Sequence, residues 1–249
     1  MAPIDLVVNT KGYEKFPADV LGACVTVDDV AAVSMTGERS SKGEPGEVVE
    51  IGSGVCVTKC GHILTAGHAA PMQGDRRRVT FPSGHSSLAF CIVTSDKYDL
   101  SILQMLDESM RGKLSHPAVS IAAQPAPVGC KLVCVGQPGV RARQRLEPSY
   151  GRVVAQSKRP LAAQLDSGGI VHDCPTHAGS SGSPLFHFET GELVGLHTGF
   201  SHDKFQAEAV TLEAIREVLA GYPAGRQALD PSMTAKQALK GPSGRRPCK

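Results

Sequence analysis

The sequence contains no tryptophan and few other aromatic residues, with four Tyr and seven Phe among 249 residues. It also lacks any run of about 18 apolar residues, which excludes a transmembrane helix. An acidic residue, Asp5, follows Met1 closely, and no apolar stretch of signal-peptide length comes after it. We therefore expect a cytoplasmic, intracellular protein that has no signal peptide and no membrane span.

Cysteine is too scarce for a disulfide scaffold, because the chain has eight Cys in 249 residues. In a reducing compartment these thiols are expected to be mostly free. The formal net charge is only +2, so the molecule as a whole is not an obvious nucleic-acid binder.

The charge is unevenly distributed along the chain. Residues 226–249 carry six Lys/Arg and one Asp, a net +5, which leaves −3 for residues 1–225. We expect residues 223–249 to form a disordered basic tail. The tail is either a solvated terminus or an electrostatic contact for nucleic acid, a membrane surface or an acidic partner.

Short β-branched or small-residue segments separated by Gly, Pro, Asp and Ser dominate the sequence and predict strands. Their spacing favours an all-β sandwich or barrel. The predicted strands are 24–27, 31–35, 54–58, 78–81, 90–94, 100–105, 131–135, 151–156, 183–187 and 192–199. One segment, 211–219, instead has a helical apolar stripe, with Thr211 as an N-cap and Gly221 beyond its end.

Three separated segments carry the residue types of nucleophilic catalysis: 61–68, 98–103 and 179–184. They read Gly-His-Ile-Leu-Thr-Ala-Gly-His, Tyr-Asp-Leu-Ser-Ile-Leu and Gly-Ser-Ser-Gly-Ser-Pro. Taken singly, the first segment is compatible with a structural His, the second with an Asp in a turn, and the third with a Gly/Ser loop. Together they supply a hydroxyl nucleophile, a base, a carboxylate to orient that base, and a glycine turn that can aim backbone N–H groups at an oxyanion.

In their order His, Asp, Ser, these segments resemble the motifs of chymotrypsin-like serine peptidases, and 61–68 is similar to the HtrA-type form. The resemblance extends from about Val33 to Leu219. It implies two antiparallel six-stranded β-barrels followed by a C-terminal helix. It divides the chain into a lead segment (1–30), a first barrel (31–122), a second barrel with the helix (123–222) and the tail.

The resemblance also assigns roles to residues. It implies that His68 is the general base, Asp99 its orienting carboxylate and Ser181 the nucleophile, with the N–H groups of Gly179 and Ser181 as oxyanion donors. Residues 133–138 resemble the segment that opens the second barrel, and 192–197 resemble the strand along the substrate pocket.

Two positions depart from the digestive enzymes of this family. Ala69 follows the His where those enzymes have a disulfide-bonded Cys, and Ser180 precedes the nucleophile where they have an Asp. Ser180 cannot pair with a new N-terminus, so we expect no trypsin-style zymogen switch.

Pocket residues suggest the specificity. Pro175 stands where trypsin-like enzymes have Asp, which argues against Lys or Arg at P1. The pairing of Thr176 with His197 is similar to that of glutamyl endopeptidases and some viral proteases, and Thr198 and Gly199 continue the same wall. We expect Glu or Gln at P1, with a small or apolar P1 as the alternative.

Metal sites and further catalytic residues are not expected. Cys56, Cys60 and His62 lie close in sequence, but their spacing matches no strong zinc motif, and Cys130 and Cys134 are too far apart along a strand for a disulfide. The remaining histidines near Ser181, at positions 172, 177, 187 and 202, are expected in loops or at the surface. Asp173 is expected to be structural.

Two functions therefore remain open at this point. The first is a serine endopeptidase that hydrolyses protein or peptide substrates through an acyl-enzyme on Ser181, without a cofactor. The second is a catalytically silent protease fold that binds partners through the basic tail.

Overall fold

The computed structural model describes residues 16–29, 50–107, 113–137, 146–157, 169–201, 206–222 and 229. The predicted strand 31–35, His202 and, apart from Leu229, the predicted basic tail lie outside these residues.

The first half of the chain forms a closed antiparallel barrel of six strands in the order β1-β2-β3-β6-β5-β4. The strands are β1 (Cys24–Asp29), β2 (Glu50–Cys56), β3 (His62–Ala66), β4 (Arg76–Thr80), β5 (Ser86–Ser95) and β6 (Leu100–Met105). A register shift in β5, between Cys91 and Val93, bends that strand as the sheet closes.

The second half repeats this architecture as a closed barrel in the order β10-β11-β12-β9-β8-β7. Its strands are β7 (Lys131–Gly136), β8 (Glu147–Ser157), β9 (Gly169–His172), β10 (Pro184–His187), β11 (Leu193–Ser201) and β12 (Gln206–Thr211). In both barrels every strand has two antiparallel neighbours, so closure removes the open sheet edges.

Fully buried aliphatic side chains fill the barrels and the space between them. The first-barrel residues Val27, Ile63 and Leu103 belong to the same buried cluster as Val133 and Phe186 of the second barrel. One apolar cluster therefore spans both barrels, and a second cluster, which includes Leu132, Leu185 and Leu212, packs within the second half of the chain.

Two helices complete the described part of the chain. The short α1 (Ala18–Leu21) precedes β1, and α2 (Leu212–Ala220) follows β12 directly. The side chain of Thr211 accepts a hydrogen bond from the N–H of Ala214, which confirms the predicted N-cap. Neither helix is long and apolar enough to cross a membrane.

The predicted fold class, two six-stranded barrels and a C-terminal helix, is confirmed. The predicted start of the first barrel at residue 31 is wrong, because β1 (Cys24–Asp29) pairs with both β2 and β4 inside that barrel. The strand predictions also omitted β3, β9 and β12. Strand β12 contains two Ala and a Glu, which have low strand propensity, and its burial between β9 and β11 outweighs that preference.

Candidate functional site

His68 and Asp99 make a two-point contact at the end of the first barrel. His68 lies in a single 3₁₀ turn, Gly67–Ala69, directly after β3, and Asp99 directly precedes β6. The backbone N–H of His68 donates to Asp99 Oδ1 over 2.7 Å, and His68 Nδ1 lies 2.8 Å from Asp99 Oδ2. Because β3 and β6 are paired, their ends bring these two residues together, and the carboxylate fixes both the position and the tautomer of the ring.

The backbone around this pair is unusual. Asp99 has φ +47°, a left-handed conformation that few residue types other than Gly and Asn/Asp tolerate. Its carbonyl accepts from the N–H of Gly67 over 2.8 Å. A Cβ at Gly67 would lie 2.8 Å from Asp99 Oδ1, so this position requires glycine for close approach.

Ser181 lies in a tight turn between β9 and β10. Gly179 and Gly182, on either side of Ser180 and Ser181, have φ of +91° and +84°. Within the turn, the N–H groups of Ser180, Gly182 and Ser183 donate to backbone carbonyls. Those of Gly179 and Ser181 donate to none of the described residues. These two N–H groups are the predicted oxyanion donors, and such a turn of consecutive N–H groups can bind an anion.

The first barrel holds this turn in place through Ser53 of β2. The N–H of Ser53 donates to the carbonyl of Ser181 over 2.7 Å, and its hydroxyl donates to the carbonyl of Gly179 over 2.9 Å. The same hydroxyl accepts from the N–H of Gln137 over 2.8 Å. Ser53 thus links both ends of the candidate oxyanion turn to the first barrel.

Close packing also places the turn beside the strand that leads to His68. A Cβ at Gly182 would lie 2.1 Å from the carbonyl oxygen of Ser53 and 2.9 Å from the backbone nitrogen of Ala66. Ala66 is two residues before His68. The structure therefore positions the Ser181 turn, from the second barrel, against the segment of the first barrel that carries the His68–Asp99 pair.

The environment of His68 raises its pKa above the usual 6.5. The hydrogen bond to Asp99 is the main cause and its charge adds to it, while partial burial opposes both. The side chain of His68 is 49% exposed, so solvent screens the pair, but the direction favours an imidazolium beside a carboxylate.

His197 is buried on β11, the strand that the family resemblance assigns to the wall of the substrate pocket. Its Nδ1 lies 3.2 Å from Nε2 of His172, a residue of β9, and the two rings meet edge to face. Thr198 is buried beside it, and a register shift between His197 and Gly199 bends the strand here. A Cβ at Gly199 would meet nothing within 4 Å, so the backbone is open on this side.

Burial lowers the pKa of both histidines, to about 3 for His197 and about 4 for His172. For His197 the charge of the neighbouring His172 contributes after burial. Both rings are therefore neutral at neutral pH, and one of the two nitrogens that face each other must donate to the other. The prediction that His172 is a loop or surface residue is wrong, because β9 is buried on both sides.

The two positions that depart from the digestive enzymes have local explanations. Ser180 is buried, and its hydroxyl accepts from the N–H of His177 over 3.1 Å, which closes the turn without an ion pair. Ala69 is fully buried, so only a small residue fits after His68.

Thr176 is half-buried in the loop that leads from β9 to the Ser181 turn. Asp173 accepts from the N–H of Arg152, in agreement with a structural role.

The seven described cysteines are free thiols. Burial raises the pKa of Cys56 and of Cys134 to about 12, so these thiols are protonated and unreactive at neutral pH. His62 points to Thr58, whose Oγ1 lies 2.7 Å from its Nδ1. Cys56, Cys60 and His62 do not form one of the clusters with metal-ligand spacing among the described residues.

Ser53, Gly67 and His172 were missed as functional candidates at the sequence level. The run Gly52-Ser53-Gly54 within a strand was the available signal for Ser53, because glycines inside strands mark a close backbone approach. A Cβ at Gly52 would indeed lie 2.5 Å from the Ser181 carbonyl oxygen. Nothing in the local sequence of His172 indicates its contact with His197, 25 residues later.

Two closed barrels with the His68–Asp99 pair and the Ser181 turn at their junction define a chymotrypsin-like double-barrel protein. A family model for the trypsin-like peptidase domain matches residues 52–196, more than half of the chain. The protein therefore belongs to the trypsin-like peptidase family. No curated protein matches the sequence.

Solved structures support the same fold. The HtrA-type protease AlgW with a decapeptide has a TM-score of 0.64 at 17% identity, covering 84% of this chain and 65% of its own. The active form of the Rv3671c protease from M. tuberculosis has a TM-score of 0.63 at 19% identity, covering 88% and 87%. The serine endoprotease from Yersinia pestis has a TM-score of 0.60 at 18% identity, covering 86% and 66%. This chain thus spans slightly less than two thirds of AlgW.

Replacing Ser53 with alanine should destabilise the protein by about 1–3 kcal/mol, because it leaves the carbonyl of Gly179 and the buried N–H of Gln137 without their partner. The midpoint of urea unfolding measures this. Ser87→Ala is the matched control, since Ser87 is half-buried and, among the described residues, its hydroxyl donates only to the adjacent Leu88 carbonyl. Equal midpoints for the two variants would show that Ser53 does not hold the turn.

Proposed function

We propose that this protein is a serine endopeptidase in which Ser181 is the nucleophile, His68 the general base and Asp99 its orienting carboxylate. The observation that carries the proposal is the two-point contact of Asp99 with His68, made beside a turn whose Gly179 and Ser181 N–H groups have no described partner. For Ser181 to act in acyl transfer, it needs a base held in one tautomer and backbone N–H groups available to bind the oxyanion.

The reaction follows from these positions. Because Nδ1 of His68 is hydrogen-bonded to Asp99, Nε2 is the nitrogen that acts as the base. It takes the proton of the Ser181 hydroxyl as the Ser181 oxygen attacks the scissile carbonyl. The oxyanion then accepts hydrogen bonds from the N–H groups of Gly179 and Ser181. His68 returns its proton to the leaving amine, and a water activated by the same base hydrolyses the acyl-enzyme. Each step uses protein groups and water.

The substrate class that the pocket favours is a peptide with Gln at P1. His197 is buried and its pKa is lowered to about 3, so it presents a neutral imidazole. A neutral ring supplies no positive charge to offset the cost of burying a Glu carboxylate. It can still exchange hydrogen bonds with an amide, together with the hydroxyl of Thr176. Among the residues considered for P1, Gln therefore ranks above Glu, and a small apolar residue is the alternative.

The first prediction from this proposal concerns the nucleophile. A fluorophosphonate probe should label the wild-type protein, and Ser181→Ala should abolish both labelling and peptide hydrolysis. Ser120→Ala is the control, because Ser120 is an exposed serine that follows the first barrel. Labelling that survives in Ser181→Ala would refute the role of Ser181. Absence of labelling in the wild type at every pH from 5 to 9 would favour the silent binding fold.

The second prediction is a pH profile. His68 acts as a base only when neutral, and its pKa is raised, so kcat/KM should rise with pH through an apparent pKa above 6.5. Asp99→Asn removes the main cause of the raised pKa, so the apparent pKa should fall while kcat drops by several orders of magnitude. An activated ester substrate keeps the residual rate measurable.

Asp96→Asn is the matched control for this profile, because it removes the same charge from an exposed residue only three positions away. It should leave the apparent pKa and kcat near the wild-type values. A flat wild-type profile between pH 5 and 8, or equal shifts in the two variants, would contradict the assignment of His68 and Asp99.

The third prediction concerns specificity. In a matched peptide pair, P1 Gln should be cleaved at least about tenfold better than P1 Glu by kcat/KM at pH 7.5, since burying an unpaired carboxylate costs more than one hydrogen bond contributes. His172→Phe removes the partner of His197 and should raise KM for the Gln peptide with a smaller change in kcat. His187→Gln is the histidine control. Cleavage without regard to Gln or Glu would exclude this pocket assignment.

A further inference from the structure

A cluster of two histidines and one aspartate lies at the end of the first barrel opposite the His68–Asp99 pair. Asp107 stands between two imidazoles: its Oδ2 is 2.9 Å from Nε2 of His85 and 3.0 Å from Nε2 of His116. All three candidate ligand atoms lie within 4.8 Å of one another. We propose that His85, Asp107 and His116 form a binding site for a divalent transition-metal ion, with zinc as the expected occupant.

The donor set suits this class of ion. Two imidazole nitrogens and one carboxylate oxygen are a common set of three protein ligands for zinc, which leaves a fourth position for water. Neighbouring ligand atoms on a tetrahedral zinc are about 3.3 Å apart, given bond lengths near 2.0 Å. The separations of 2.9 Å and 3.0 Å from Asp107 are close to this value, and the two imidazole nitrogens lie within 4.8 Å of each other.

The three ligands are held on ordered backbone. The carbonyl of His85 accepts from the N–H of Phe81, closing the turn between β4 and β5, and the N–H of His116 donates to the carbonyl of Lys59 in the turn between β2 and β3. Asp107 follows Leu106, whose N–H donates to the carbonyl of Leu88 on β5. The site therefore joins two hairpin turns to the segment that leads toward the second barrel.

Aromatic packing orients the buried imidazole. The ring of Phe81 stacks on His116 with centroids 5.0 Å apart and planes within 5°, and it also lies 6.1 Å from the ring of His85. The side chain of His116 is only 3% exposed, whereas that of His85 is 38% exposed. The buried ligand is thus pre-oriented, and the exposed side gives an ion and its water a path to the site.

The site is remote from the His68–Asp99 pair. Asp99 precedes β6 and Asp107 follows it, and the six residues of that strand span about 20 Å. A metal here would act by clamping the end of the barrel rather than by chemistry on a substrate.

Metal-free protein, prepared with EDTA and then dialysed, tests the proposal. Zn²⁺ alone should bind with one ion per chain in a competition titration against a chromophoric chelator. At a hundredfold excess over Kd it should raise Tm by about 5–10 °C. Co²⁺ should give the visible absorption of a tetrahedral nitrogen and oxygen site. Stoichiometry near zero, or an unchanged Tm, would overturn the proposal.

Variants assign the ligands. His85→Gln and Asp107→Asn should weaken Zn²⁺ binding by about a hundredfold or more. This loss is larger than the roughly 10–100-fold typical of losing a residue that only hydrogen-bonds to a ligand. His187→Gln, on the second barrel, should bind as the wild type does. His85 is part-exposed, so His85→Gln keeps the test decisive if a variant of the buried His116 fails to fold. Equal affinity in His85→Gln, Asp107→Asn and the control would place the metal elsewhere.

Discussion

The geometry of the candidate site depends on the contact between Ser53 and the Gly179–Ser181 turn. Ser53 belongs to the first barrel and the turn to the second, so two hydrogen bonds across the interface fix the backbone that carries the proposed nucleophile, Ser181. The glycines on either side of the contact have no room for a Cβ, because Gly52 approaches the Ser181 carbonyl and Gly182 approaches that of Ser53. Both barrels therefore contribute to holding the turn, and the apolar cluster that spans them packs the two surfaces together.

The same tertiary structure gives two histidines opposite electrostatic states. His68 is half-exposed and bonded to a carboxylate, which raises its pKa, whereas His197 is buried against another imidazole, which lowers its pKa to about 3. The first can accept and return a proton near neutral pH, and the second can only exchange hydrogen bonds. Their residue type is identical, so the proposed division into a base and a recognition group rests entirely on what each ring contacts.

Local sequence predicted much of the fold and named the candidate site residues. The three motifs around His68, Asp99 and Ser181 identified the family, and the segments 100–105 and 131–135 were predicted as strands close to their observed bounds. The predicted start of the first barrel was wrong, because the pairing of β1 with β2 and β4 is a long-range contact that the local sequence of Cys24–Asp29 does not show. The role of Ser53 could not be predicted either, because its partners lie 84 and 126 residues away.

The sequence by itself determined which chemical groups are available: a serine between turn glycines, a histidine after an apolar strand, and an aspartate before one. Only the tertiary structure decided which groups act on one another. The register of β3 with β6 joins Asp99 to His68, and β9 and β11 bring His172 to His197. The turn between β4 and β5 carries His85, and the segment after β6 carries His116, to one carboxylate. The physical reason is that hydrogen bonds and pKa values depend on distances of a few ångströms, which barrel closure sets between residues far apart in the chain.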